Sequence, residues 1–286
     1  MSTTAEMTAP AAAPDRVRTL AVRRISVRVS ERPGTGPLTS APPLLLCNGI
    51  GASLEALQPL VDALDPHRGV VRFDVPGVGG SPLPPVPYTM AGLASWVSAL
   101  MTRLGHPRFD VLGLSWGGGL AQQLAVQSRR RVRRVVLVAT GTGSLMVPAR
   151  PDVLATMLTP RRHRDPAYAA SVAARIYGGT MRTNPERGAR LLHAVTRSGP
   201  KRGYYYQLLA GAGWSSLPAL PFVRQPTLVM AGDDDPIIPL VNARVITRLI
   251  PRARAHVYAG GHLAVLTESD ELVPVIEEFL SEERDD

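Results

Sequence analysis

The sequence predicts an α/β fold: a mostly parallel, doubly wound sheet covered by helices on both faces and interrupted by a helical insertion. Three observations predict it. Short, continuously apolar runs recur along the chain, too apolar to be strands with one wet face. Segments with apolar residues at helical spacing separate them, which is the rhythm of crossover units in a parallel sheet. That rhythm stops after Gly143 and resumes near residue 225, and a chain of 286 residues suits one such core with an inserted subdomain.

Taken in order, residues 1–15 are rich in alanine, threonine and proline. They lack a basic start and a continuous apolar stretch, so a disordered tail is expected and a secretory signal is not. Over 17–31, Leu20, Val22, Ile25, Val27 and Val29 partly alternate with polar residues, as in an antiparallel strand or hairpin. A Pro/Gly/Ser-rich loop at 32–43 leads into a strand at 44–47, a helix at 54–64 and a strand at 70–74. A helix at 91–104, a strand at 109–114, a helix at 118–126 and a strand at 135–139 follow. The stretch 144–224 is rich in arginine, proline and aromatic residues and has no strand-like run, so it reads as a helical lid. Strands at 227–230 and 255–258 then alternate with helices at 241–250 and 272–280. The expected organisation is a core of 16–143 and 225–286 with a lid of 144–224, and no internal repeats.

Hydrophobic residues make up 45% of the chain, enough for a sizeable core, and the 19% of charged residues are mixed in sign, which argues against bulk disorder. Cys47 is the single cysteine, so no intrachain disulfide can form and a reducing compartment is expected. No apolar stretch approaches the ~20 residues of a membrane span. A soluble cytoplasmic protein is the expectation. The formal net charge is +9, and Lys201 is the only lysine. The densest basic run, Arg129 to Arg134, reads either as a solvated helix end or as a docking patch for an anionic surface. Nothing resembles a nucleic-acid-binding module.

Gly113-Leu114-Ser115-Trp116-Gly117 fits the G-x-S-x-G pattern of a nucleophile elbow. There a serine occupies a strained strand-to-helix turn, and small flanking residues allow close backbone approach. The pattern alone is common; the strand before it and the helix after it make it specific. A serine hydroxyl needs a base, and in α/β-hydrolases the order along the chain is serine, acid, histidine. His163 and His193 fall in the insertion and His256 inside a strand pattern. His262 follows the last strand after Gly260-Gly261, at the sheet edge where ligands gather in open α/β folds, and is the expected base. The acid lies in Asp233-Asp234-Asp235, with Asp235 expected and Asp234 as the alternative. Its role is to hold the histidine tautomer. No second ligand cluster accompanies these carboxylates, so neither a metal nor a cofactor is expected. The oxyanion needs two preorganised N–H donors. They are expected from the Trp116 amide and the loop Asn48-Gly49-Ile50-Gly51, through Ile50. Asn48 is either a brace for that loop or a plain turn residue.

These residues resemble the intracellular medium-chain-length polyhydroxyalkanoate depolymerases over 43–283. The resemblance runs through Asn48-Gly49-Ile50-Gly51-Ala52, Phe73-Asp74-Val75-Pro76-Gly77-Val78-Gly79-Gly80-Ser81 and Ser115-Trp116-Gly117-Gly118. Inside the insertion it includes Ile176-Tyr177-Gly178-Gly179, Gly203-Tyr204-Tyr205 and Gly211-Ala212-Gly213-Trp214. It ends in Ala231-Gly232-Asp233-Asp234-Asp235-Pro236 and Gly261-His262-Leu263. The resemblance implies a granule-associated esterase that cleaves 3-hydroxyalkanoate polyesters with Ser115, Asp235 and His262. The sequence departs from the family in a longer N-terminal tail and in Ala259-Gly260, where acidic residues are expected. Tyr204, Tyr205, Tyr206 and Trp214 either line an acyl-chain pocket or pack the lid onto the core. The alternative to a polyester is a small substrate, cleaved by a carboxylesterase, thioesterase or carbon–carbon bond hydrolase.

Overall fold

The apolar runs pair into one sheet in the computed structural model, which describes residues 14–185 and 199–282. Its strands are β1 (Arg16–Val22), β2 (Ile25–Arg32), β3 (Leu44–Cys47), β4 (Val70–Phe73), β5 (Phe109–Leu114), β6 (Val132–Val138), β7 (Thr227–Gly232) and β8 (Ala253–Tyr258). They lie in the order β1-β2-β4-β3-β5-β6-β7-β8, with β2 antiparallel to both β1 and β4 and every other pairing parallel. The expected hairpin turns at Arg23-Arg24, where both residues have positive φ (47° and 66°), the geometry whose twist matches the paired strands.

The central runs are apolar at every position because both faces are covered. Leu44, Leu46, Val136, Val138, Leu228 and Met230 face one cluster, while Leu45, Cys47, Val135, Leu137 and Val229 face the other. The helices are α1 (Gln58–Ala63), α2 (Met90–Arg103), α3 (Trp116–Gln127), α4 (Pro151–Met157), α5 (Pro166–Tyr177), α6 (Thr180–Thr183), α7 (Lys201–Ala212), α8 (Val241–Leu249), α9 (Ala264–Thr267) and α10 (Ser269–Ser281). Helices α1 and α10 cover the first face through Leu60, Leu272, Ile276 and Phe279; α2, α3 and α8 cover the second through Leu93, Leu120 and Ile246. The segment between β6 and β7 is helical where described. It has its own small core, in which Val153, Val172, Ile176 and Met181 pack with Ile237 and Ile238 from the loop after β7.

Strand order reverses between β3 and β5, so their carboxyl ends open a crevice at the topological switch point. Two boundaries differ from expectation there and nearby. Helix α3 starts at Trp116, directly after the serine, and β6 starts at Val132. The helix expected over 54–64 is a 3-10 turn, Leu54–Leu57, followed by α1, whose second residue, Pro59, suits a helix start because it needs no acceptor for an N–H.

The earlier start of β6 changes the meaning of the basic run. Arg129 and Arg130 are exposed, as a solvated helix end requires. Arg131 instead donates to the carbonyls of Ser98, His106 and Pro107 at 2.7 to 2.9 Å. Arg133 grips the fully buried Asp110 carboxylate at 2.9 and 2.5 Å. Burial pushes the Asp110 carboxyl above its ordinary range, and Arg133 opposes that shift. Asp15, at the end of the expected tail, pairs with the buried Arg72. The rest of that tail, residues 1–13, and His193 lie outside the described residues. Among the described residues no helix is long and apolar enough to cross a membrane.

Removing one partner of a buried pair leaves the other charge uncompensated. Asp110→Ala is expected to lower unfolding stability by about 3 kcal/mol in a urea titration. Arg130→Ala, on the exposed part of the run, is expected to change it by less than about 0.5 kcal/mol.

Candidate active site

Ser115 is the hinge between β5 and α3, with φ 55° and ψ −119°, a region that side-chain-bearing residues rarely occupy. Three bonds hold it there. Its amide donates to the Val138 carbonyl at 2.9 Å, and its carbonyl accepts from the Gly118 amide at 2.9 Å and from Thr140 Oγ1 at 2.7 Å. The turn also presses against β3. A Cβ on Gly117 would stand 2.1 Å from the Cys47 carbonyl oxygen, so only glycine fits. This is the physical content of the flanking small residues in the motif.

The loop after β8 brings His262 to the hydroxyl. Its Nε2 lies 2.9 Å from Ser115 Oγ, and its Nδ1 lies 2.8 Å from Asp235 Oδ2. The two side chains are 4% and 1% exposed, so water does not compete for these bonds. Asp235 Oδ1 accepts the Ile237 and Ile238 amides at 2.8 and 2.9 Å, which fixes the carboxylate. Chemically, such a chain lets imidazole take a proton from a hydroxyl while a carboxylate stabilises the resulting imidazolium.

The neighbouring aspartates hold the two loops in place. Asp234 Oδ2 accepts the Gly179 amide at 2.7 Å, and Asp234 also pairs with Arg182 at 3.1 Å. Asp233 Oδ1 accepts the Gly260 amide at 3.0 Å. The inserted segment also touches the histidine. The His262 amide donates to the Tyr177 carbonyl at 2.8 Å, and the two rings stack at 6.3 Å and 18°. A Cβ on Gly261 would meet that same carbonyl at 2.1 Å, which explains the glycine before the histidine.

Of the two residues expected to supply oxyanion donors, Trp116 is the first residue of α3, so its amide has no acceptor within the helix. Ile50 lines the cavity that contains Ser115 and His262. Of the two readings of Asn48, the structure supports the brace: its Oδ1 accepts the Gly49 amide at 2.8 Å and its Nδ2 donates to the Ser53 carbonyl at 2.6 Å. Gln207, fully buried on α7, accepts the Gly51 amide at 2.7 Å, and its carbonyl accepts Trp116 Nε1 at 3.0 Å. Asp74 ties the next loop down, accepting the Leu54 and Gly80 amides at 2.7 Å each and Arg28 at 3.2 Å.

The cavity measures about 90 Å³. Met157, Ile237, Leu263 and Leu266 give it an apolar wall, and Arg162 and His163 a polar one. Tyr204, Tyr205 and Trp214, read as either pocket lining or lid packing, are not among the residues that line it. Tyr204 is buried beside Gly51, its hydroxyl donating to the Met157 carbonyl at 2.5 Å and accepting Arg162 Nη1 at 2.8 Å. Tyr205 is half-exposed and meets Tyr204 edge-on. Trp214 packs against Gly119 and donates to Gln123 Oε1 at 2.6 Å, a joint between the insertion and α3. Sequence reasoning missed Tyr177, Gln207 and Arg162, because the insertion carries no periodic pattern that registers it against the core. For Tyr177 alone a signal existed, in the Tyr177-Gly178-Gly179 match. Among the described residues, no group of His, Cys, Asp or Glu could hold a metal ion.

The chain matches known proteins over most of its length. A family model described as the alpha/beta hydrolase fold matches residues 42–269. The chain is 46% identical over 267 residues to the poly(3-hydroxyalkanoate) depolymerase of Ectopseudomonas oleovorans, covering 93% of each protein. It is 28% identical over 227 residues to the 2-hydroxymuconate semialdehyde hydrolase of Pseudomonas putida, covering 75% of this chain and 78% of that one. Among solved structures, the enol-lactonase of Burkholderia xenovorans LB400 superposes with a TM-score of 0.79 at 26% identity, over 93% of this chain and all of that one.

The separate tasks of the aspartates generate a test. Asp235→Asn is expected to lower kcat on p-nitrophenyl butyrate by about 10³- to 10⁴-fold, through loss of the required tautomer. Asp234→Ala, which loosens the Gly179 tie and the exposed Arg182 pair, is expected to stay within about ten-fold of wild type, a loss of at most about 1.4 kcal/mol. The reverse ranking would move the acid to Asp234.

Proposed function

We propose that this ester hydrolase, which belongs to the alpha/beta hydrolase fold family, cleaves medium-chain-length poly(3-hydroxyalkanoate) through an acyl-enzyme on Ser115. The observation that carries the mechanism is the buried chain Ser115 Oγ–His262 Nε2 at 2.9 Å and His262 Nδ1–Asp235 at 2.8 Å. The 46% identity to a poly(3-hydroxyalkanoate) depolymerase over 93% of the chain supports the substrate.

In this reading Ser115 attacks the ester carbonyl while His262 takes its proton, and the Ile50 and Trp116 amides receive the oxyanion. His262 then protonates the departing alkoxide. The same histidine activates the water that releases a 3-hydroxyacid or a short oligomer. Residues 144–224 form the lid, and Met157, Ile237, Leu263 and Leu266 receive the acyl chain.

The same lid would seat the enzyme on a polyester granule in the cytoplasm. Among the described residues, most of the large exposed apolar side chains belong to it, including Leu145, Val147, Leu158, Leu209 and Phe222, and an apolar surface of this kind suits a hydrophobic particle. A second reading, hydrolysis of a small ester, thioester or carbon–carbon bond, is favoured by one observation. The cavity of about 90 Å³ is small beside the roughly 300–1,000 Å³ of most ligand pockets, so a polyester needs the lid to shift.

The test is hydrolysis of an emulsified medium-chain polymer and of p-nitrophenyl butyrate and octanoate by wild type and Ser115→Ala. Wild type is expected to clear the polymer and cleave both esters, and Ser115→Ala to lose at least about 10³-fold on each. Cleavage of the small esters alone would favour the second reading.

A further inference from the structure

Arg162 is a buried cation that the proposed reaction does not use. It stands in the 3-10 turn Pro160–His163, is 6% exposed, and lines the cavity that holds Ser115. The adjacent Arg161 pairs with Asp165, as an ordinary surface arginine does. No acidic side chain among the described residues pairs with Arg162. Its Nη1 donates to the Tyr204 hydroxyl at 2.8 Å and to the Thr159 carbonyl at 3.4 Å, the Tyr177 hydroxyl is a second phenolic partner, and its Nε has none. Burial raises the Tyr204 phenol above its ordinary pKa, so that partner orients the guanidinium without neutralising it.

The next residue repeats the pattern. His163 lines the same cavity, and its Nε2 is out of solvent without a partner. Burial, assisted by the Arg162 charge, pushes its pKa down to about 3, so the imidazole is neutral and supplies no counter-charge. One wall of a mostly apolar cavity, with no carboxylate among its described lining residues, therefore holds a fixed positive charge and two orphaned nitrogens. Buried charges are ordinarily paired. An arginine fork matches a carboxylate in shape and charge, and its dehydration is already incurred on folding.

We propose that Arg162 forms a carboxylate subsite in this cavity and receives the free carboxyl end of a short 3-hydroxyalkanoate oligomer while its inter-unit ester meets Ser115. This rests on the polyester reading for the identity of the oligomer, but not for the subsite itself. The interior of a polyester chain carries no charge, so the subsite distinguishes chain ends and soluble oligomers from mid-chain esters. The enzyme then prefers substrates that already end in a carboxylate.

The experiment compares the linear dimer of 3-hydroxyoctanoate as free acid and as its terminal primary amide, a neutral isostere. Wild type is expected to cleave the acid with kcat/KM roughly ten- to hundred-fold above the amide, the worth of one charge-assisted hydrogen-bonded contact. In Arg162→Gln the ratio is expected to fall to about one, and in Arg162→Lys to keep part of its value, a rescue that loss of packing would not give. Circular dichroism checks the fold of each variant, and if Arg162→Gln does not fold, the wild-type ratio decides alone. A wild-type ratio near one, or a ratio retained in a folded Arg162→Gln, overturns the subsite. Inhibition of p-nitrophenyl octanoate hydrolysis by 3-hydroxyoctanoate and by its amide gives the same comparison without polyester cleavage. If p-nitrophenyl octanoate is cleaved and neither dimer is, the polyester reading fails, and stronger inhibition by the acid in wild type only still supports the subsite.

Discussion

The structure depends on holding one residue where it does not want to be. Ser115 sits at φ 55° between β5 and α3, a conformation that costs about 1–3 kcal/mol and persists only where its surroundings over-determine it. Here they do. The Val138 carbonyl, Thr140 and the Gly118 amide take up its backbone groups, and β3 presses so closely that position 117 admits no side chain. The consequence is geometric. The hydroxyl projects from the sheet edge into the crevice between β3 and β5, beside the first amide of α3 and the loop that carries Ile50.

The second constraint is that His262 and Asp235 stand on separate loops and must still meet at hydrogen-bond distance. Each loop is fastened to the inserted segment as well as to its own strand. Gly179 binds Asp234, Tyr177 binds the His262 backbone and stacks on its ring, and Asp233 binds Gly260. The run of aspartates thus does three jobs, one of them chemical. The inserted helices are thereby mechanically coupled to the Ser115–His262–Asp235 chain. Because Tyr177 touches His262 directly, any movement of the insertion would be felt at that ring.

Much of this was legible in the sequence, because the core obeys rules of period and order. Continuous apolar runs gave the parallel strands, and the elbow with its strand and helix located Ser115. The single histidine on a loop beyond the last strand located His262. What escaped was set by tertiary contact. No local pattern shows that Arg133 lies in a strand and faces a buried Asp110, since its charge argues for solvent. The insertion was legible only in outline: its aromatic residues invited a pocket role, yet Tyr204 packs behind Gly51 and Trp214 against α3. The cavity wall comes instead from Met157, Arg162 and Tyr177, whose spacing carries no register with the core. The loop that carries Ile50 shows the same limit: no local pattern shows that Gln207, far away in sequence, holds its Gly51 amide.

The central claim is that one serine, activated by His262, carries the acyl group. It is tested most directly by reacting the protein with an alkyl fluorophosphonate and locating the adduct by peptide mass spectrometry. A single adduct on Ser115 is expected, formed much more slowly in His262→Ala. An adduct on another residue, or continued ester hydrolysis after Ser115 is fully modified, would contradict it.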